Sequence, residues 1–307
     1  MRSVKGLRFF IIAAFSVTAV ISQGVFGQEQ EEEGVRGSFL TSRPAPTKPR
    51  PTPTPARRQQ RPRQPSNGNE TSSTNSHKGF TDSNGANSAG NIKSALTPGG
   101  PIGLGYSLYL RDNNGDPVRV DPSREFHHKD ALRVSLEANT NGFLYVFYTE
   151  NDGSPQMLFP DARLIQGSNK IQAHVPYEVP SSHESDPSKR WFVFDDKPAI
   201  EQLYIVVTRQ PLPLVPVGDE LLAYCRGQAN CTWQPPTSAW AIVKDGMNAR
   251  TEVSKIQAGG QAQTQTEREA TTRGIGLDTT APAPTVVRMN VASDSPVLVT
   301  RLELVHK

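Results

Sequence analysis

Apolar and polar residues alternate strictly through residues 131–138, ALRVSLEA. Leu132, Val134, Leu136 and Ala138 share one face and Arg133, Ser135 and Glu137 the other, which predicts a strand with one buried and one wet side. A polar break at Asn139-Thr140-Asn141-Gly142 follows, and residues 143–148 are then apolar on both parities, as in a strand covered on both faces. The double-sided pattern returns in EQLYIVVT, residues 201–208. Further short strands are predicted at 106–111, 118–120, 157–159, 170–175 and 191–194, with turns at 112–116 and at Asp152-Gly153. At the C-terminus Leu298, Thr300, Leu302, Leu304 and His306 alternate with Val299, Arg301, Glu303 and Val305. That strand, with 286–291, must either return to the same sheet or add to a neighbour's edge. Short strands with turn signals about every ten residues favour an all-β fold, an antiparallel β-sandwich, over alternating strands and helices.

The rest of the chain lacks such periodicity. Residues 1–27 read as a signal peptide: Arg2, Lys5 and Arg8 precede an apolar stretch at 9–21 that is short of the ~20 apolar residues a spanning helix needs. Residues 28–100 run from an acidic cluster through the Pro/Arg-rich stretch 43–65 to a Ser/Asn/Gly-rich segment, and predict a disordered tether. With 26 Pro, 24 Gly and 7% aromatics in 307 residues, one folded domain is expected. The net charge of +3 is small, but its basic part concentrates in the tether, where no aromatic interleaves the arginines to stack on bases, so no specific nucleic acid is expected as partner. The sandwich is placed at 101–215, a clipped extension at 216–256, a flexible segment at 257–284 and closing strands at 285–307.

Within the sandwich the order of features resembles a bacterial family, the domain of unknown function 4384. The resemblance is carried by Phe126, Asp130, Asn139, Gly142-Phe143-Leu144-Tyr145-Val146-Phe147, Asp152-Gly153 and Leu158-Phe159-Pro160, and continues through 191–195 and 201–208. It covers residues 105–211. Where relatives commonly place Gly before the Asp aligned with Asp130, this chain has Lys129, a departure that bears on the turn there. The resemblance implies an extracytoplasmic β module and carries over no catalytic residues.

Candidate chemistry is sparse. The only cysteines, Cys225 and Cys231, are expected to form a disulfide clipping a small loop, with Trp233 and Trp240 nearby; their spacing fits neither C-x-x-C nor a zinc quartet. Asp112, Asn114 and Asp116 match the start of a calcium loop, but Pro117 and Ser123 stand where Gly and Glu are required, so a hairpin turn is expected. No nucleophile elbow, phosphate loop or H-E-x-x-H occurs, and no catalytic, cofactor or metal residue is assigned. A Ser-His-acid set drawn from His127, His128, His174, His183 or His306 is left open, because triads are defined by geometry. For binding, the loop with His183, Glu184 and Asp186 and the adjacent Trp191 is the candidate. The expectation is an exported, non-enzymatic module of the periplasm, cell envelope or extracellular space, without a membrane span once the signal is removed. Its partner would be an envelope protein or surface polymer. The alternative is an accessory to an extracytoplasmic hydrolase or peptidase with an unrecognised site.

Overall fold

The computed structural model describes residues 26–46, 99–228 and 231–307. The segment expected to be a signal peptide, up to residue 25, and residues 47–98 of the expected tether lie outside them. A helix, α1 (Phe26–Thr41), comes first. The chain then builds β1 (Gly103–Arg111), β2 (Pro117–Val120), β3 (Glu125–Phe126), β4 (Ala131–Ala138), β5 (Gly142–Glu150), β6 (Gln156–Phe159), β7 (Lys170–Ile171), β8 (Pro176–Val179), β9 (Phe192–Val193) and β10 (Ala199–Thr208). After these come helices α2 (Asp219–Cys225) and α3 (Thr237–Gly246), strand β11 (Thr251–Lys255), helix α4 (Gln265–Arg273) and strands β12 (Val286–Asn290) and β13 (Val297–His306).

The strands form two sheets. The first runs β11-β12-β1-β4-β8, with β2 also on β1 and β9 on β4; the second runs β3-β13-β10-β5-β6, with β7 also on β5. All pairings are antiparallel except the short β3–β13 contact. The two C-terminal strands return to different sheets of the same chain: β12 joins β1 and β11, and β13 pairs with β10 along its whole length. One core fills the space between the sheets, with Leu132, Val134 and Leu136 facing Leu144, Val146, Ile205 and Leu302. Alternation puts these side chains inside, and the same alternation decides what the outer faces need.

The second sheet is apolar outside as well. Tyr145, Phe147, Tyr204, Val206 and Val299 are covered by Leu212, Leu221, Trp233 and the α3 residues Ala239 and Val243. Trp240 meets Phe147 and Tyr204 edge-on, at ring-centre distances of 5.8 and 4.8 Å, so it seals the sheet. The double-sided pattern of β5 and β10 is thereby explained. At the β5 entry a close approach fixes Gly142, because a Cβ there would lie 2.2 Å from the Thr208 carbonyl oxygen.

The outer face of the first sheet departs from expectation. Arg133 and Glu137 of β4 are not wet; they are 6% and 4% exposed. Arg133 is covered by Arg190 and Trp191, whereas Glu137 lies beneath two segments expected to be disordered or flexible. Residues 26–46 are not tether: Val35 and Phe39 of α1 bury against Val287, and Arg36 donates to the Pro284 carbonyl at 2.7 Å. Behind the helix, Arg43 reaches Glu137 at 2.8 and 2.6 Å. Nor are residues 257–284 a flexible run. Thr264 and Glu267 form a reciprocal capping box that starts α4, and Ala270, Leu277 and Ala281 cluster beneath it. Both segments escaped detection because they dock through buried polar groups, leaving only a thin apolar period to read.

At the β1–β2 hairpin, Asp112 Oδ1 accepts from the backbone of Asn114 (2.9 Å) and Asp116 (2.8 Å). The carboxylate that suggested a calcium ligand closes a turn.

Candidate functional site

Strand β6 is the edge of the second sheet, and its register against β5 shifts between Val146 and Phe147. Met157 and Phe159 point into the molecule while Gln156 and Leu158 remain partly open. Among the described residues, one backbone hydrogen bond reaches its free edge, Met157 N–H to the Trp233 carbonyl at 2.9 Å. Around this strand three clefts of about 270, 280 and 540 Å³ open, and Leu158 lines all three.

The first cleft is walled by Phe192, Phe194 and Leu304, with Tyr148, Glu150, Asp195 and Glu201 at its polar side. The Tyr148 hydroxyl donates to Glu201. Burial pushes the Glu201 carboxyl above the usual carboxylate range, and the charges of Glu150 and Asp195 push the same way against the Tyr148 hydrogen bond. Burial and the Glu201 carboxylate likewise raise the Tyr148 hydroxyl. Both groups are therefore held in their protonated forms more firmly than in water.

The second cleft lies beside the loop singled out from sequence, and it gathers Asp161, Arg163, Glu178, Glu184, Lys189 and Trp191. Glu184 Oε1 accepts from Ser185 Oγ (3.0 Å) and Asp186 N (3.3 Å), whereas Oε2 has no hydrogen-bond partner and faces Arg163 Nη1 at 3.5 Å. Burial alone would raise this carboxyl, but the hydrogen bonds from Ser185 and Asp186 and the Arg163 charge hold it below the usual range. Glu178 repeats the pattern: Oε1 accepts from Gln263 Nε2 at 2.8 Å, and Oε2 is unpartnered, 3.7 Å from Arg133 Nη1. Arg133 itself lies over the Trp191 ring, 4.0 Å from its centre, and donates twice to the Arg190 carbonyl. Of the four sequence candidates, Glu184 and Trp191 line the cleft. His183 is exposed, and Asp186 caps a turn by accepting from Ser188.

The third cleft runs between β6 and α2 and is lined by Met157, Leu221, Trp233 and both cysteines. Cys225 and Cys231 are joined in a disulfide that fixes this wall. Trp240, expected near the clip, packs with Cys225 against the cluster that holds Trp233 and lies on the sheet face with Phe147 and Tyr204.

On the first sheet's covered face, Ser42 Oγ lies 2.9 Å from His174 Nε2, and His174 Nδ1 lies 2.8 Å from Glu137 Oε1. The order Ser-His-acid is that of a nucleophilic triad, but the Phe39 carbonyl, 2.7 Å from Ser42 Oγ, competes with Nε2 for the one hydroxyl proton. Glu137 is moreover clamped by Arg43, His174 is 1% exposed, and Ser42 lines none of the three clefts. The set is a latch for the end of α1.

Sequence reasoning missed Leu158, Arg163, Glu178 and Glu201 as site residues. The adjacency of Leu-Phe-Pro to Asp161 and Arg163 was the available signal, and only the fold brings β8 and β10 to it.

Among the described residues, no group of three or more His, Cys, Asp or Glu is placed to hold a metal, and no helix is long and apolar enough to cross a membrane. Residues 125–211 match a family model described as a domain of unknown function (DUF4384). No curated protein and no solved structure matches the chain.

Proposed function

We propose, for a chain that carries a domain of the DUF4384 family at residues 125–211, a non-enzymatic role as an exported interaction or adaptor module of the cell envelope. The observation that carries this reading is the convergence of three clefts on Leu158, all built around an edge strand inside the matched segment. Aromatic and aliphatic walls supply apolar area, and charged groups at the rims supply orientation, the division of labour found at recognition sites. The Cys225–Cys231 disulfide supports an oxidising compartment. The Ser42, His174 and Glu137 set offers an accessory role in hydrolysis little support, because His174 and Glu137 are buried and Arg43 clamps Glu137.

The test is capture of partners from cell envelopes by the immobilised full chain and by its Leu158→Asp variant. A partner held by the parent and released by the variant, with the variant's melting unchanged, supports the groove. Capture indifferent to Leu158 but abolished by salt and by deleting residues 47–65 would move the function to the basic stretch and sink the reading.

A further inference from the structure

The cleft beside Trp191 is lined by two glutamates, each with one carboxylate oxygen that stands beside an arginine but accepts no hydrogen bond. Glu178 and Glu184 are 7% and 5% exposed, both line the cleft, and Oε2 of each lacks a hydrogen-bond partner. A buried carboxylate oxygen without a donor forfeits its hydration with no return, so such groups point to a donor that arrives from outside. We infer that the cleft receives a basic side chain of a partner peptide, an arginine guanidinium or lysine ammonium, with Glu178 and Glu184 as its counter-charges. This inference rests on the reading of the β6 groove as the interaction surface.

The protein's own cations fall short of both oxygens. Arg133 stands 3.7 Å from Glu178 and cannot advance, since the Arg190 carbonyl and the Trp191 face already hold it. Arg163 stands 3.5 Å from Glu184 but is bound through Nε and Nη2 to Asp161, and its side chain is half exposed. A half-exposed arm of this kind is held weakly against Glu184 and yields to a better-placed donor. The lining carries Asp161, Glu178 and Glu184 against Arg163 and Lys189, with Arg133 behind Glu178, so the charges balance and the case for a donor rests on the two oxygens that lack a hydrogen bond. A metal ion is the poorer occupant, because no group of three ligating residues is assembled among the described residues. Leu158, Val179 and Phe192 line the same cleft and give the aliphatic stem of an arginine or lysine an apolar wall.

The experiment is a titration of the full chain, followed by isothermal calorimetry and Trp fluorescence, with acetyl-Ala-Arg-Ala-amide and with the same peptide carrying neutral citrulline. The arginyl peptide should bind, and the citrulline peptide should bind about tenfold more weakly or worse, the value of losing one charge-assisted hydrogen bond. Glu184→Gln keeps the oxygen that accepts from Ser185 and Asp186 and should cost a similar factor without lowering the melting temperature. Glu178→Gln is the second variant. Equal binding of the two peptides, absence of binding by the arginyl peptide, or affinity unchanged in Glu184→Gln would overturn the inference. If the arginyl peptide fails while Leu158→Asp still releases a captured partner, the basic-side-chain assignment falls and the groove stands. If Leu158→Asp releases nothing, the groove itself falls.

Discussion

Arg43 joins the N-terminal segment to the sheet through one carboxylate, and removing it strands Glu137 inside the protein with only His174 beside it. Breaking one side of a buried pair costs about 3–5 kcal/mol, so Arg43→Ala should lower the denaturant midpoint by that equivalent. Glu201 gives a pH signature with a definite sign. Its folded carboxyl is raised, so the folded state keeps a proton that the unfolded chain has already lost, and stability falls as pH rises from the ordinary glutamate range into the higher range where the folded carboxyl ionises. Glu201→Gln should remove that slope, as read from melting temperatures across mildly acidic pH, and an unchanged slope would reject the assignment. Lys129 adopts φ 71°, in the left-handed region. Lys129→Gly should therefore stabilise the chain by about 0.5–1 kcal/mol, the left-handed penalty less the entropy that glycine costs. The sequence marked this position only through the family resemblance, which implies a Gly; the left-handed conformation itself is visible only in the backbone. Glu184 and Trp191 were legible as candidates because a polar loop met an aromatic; Glu178 was not, since in the sequence it is one acid in a four-residue strand.

At the scale of elements, strands and helices differed in how openly they announced themselves. Strands β4, β5, β10 and β13 bury alternate side chains in the apolar core, and hydrophobic period two reports that directly. Helix α1 offers little beyond Val35, Phe39 and Leu40 to a periodic reading, and its docking is completed by Arg36 and Arg43, which look like solvated charge in a string of letters. A chain truncated to residues 101–307 loses α1 and the Arg43 partner of Glu137 together. It should be less stable than the full chain by at least about 3 kcal/mol, a loss that guanidinium titration of the two would reveal. The disulfide acts on a smaller element. Cys225→Ser with Cys231→Ser opens a loop of sequence separation 6; the chain-entropy account gives a loss of about 2 kcal/mol, and faster proteolysis near α2 should accompany it. A melting temperature indifferent to reduction would show that the clip leaves the unfolded chain unconstrained.

For the molecule as a whole, the two sheets solve different problems on their outer faces. The second is sealed by apolar helix α3 and Trp240, the first by a layer of paired charges in which Arg43 meets Glu137 and Arg119 meets both Glu267 and Tyr109. What neither covering reaches is the end where β6 forms an edge, and there the clefts open; partner capture sensitive to Leu158 and peptide binding sensitive to Glu184 are expected at that end alone. The sequence by itself determined the β class, the presence of strands at the C-terminus and the double-sided burial of β5 and β10, because burial of alternate side chains leaves a period that survives in one dimension. Tertiary structure alone decided which polar residues are buried and which carboxylates line the groove. Polar pairs such as the Arg43–Glu137 ion pair, 94 positions apart, and the Gln263–Glu178 hydrogen bond, 85 apart, leave no period to read, since a polar group chooses its partner in space and carries no local mark of having done so.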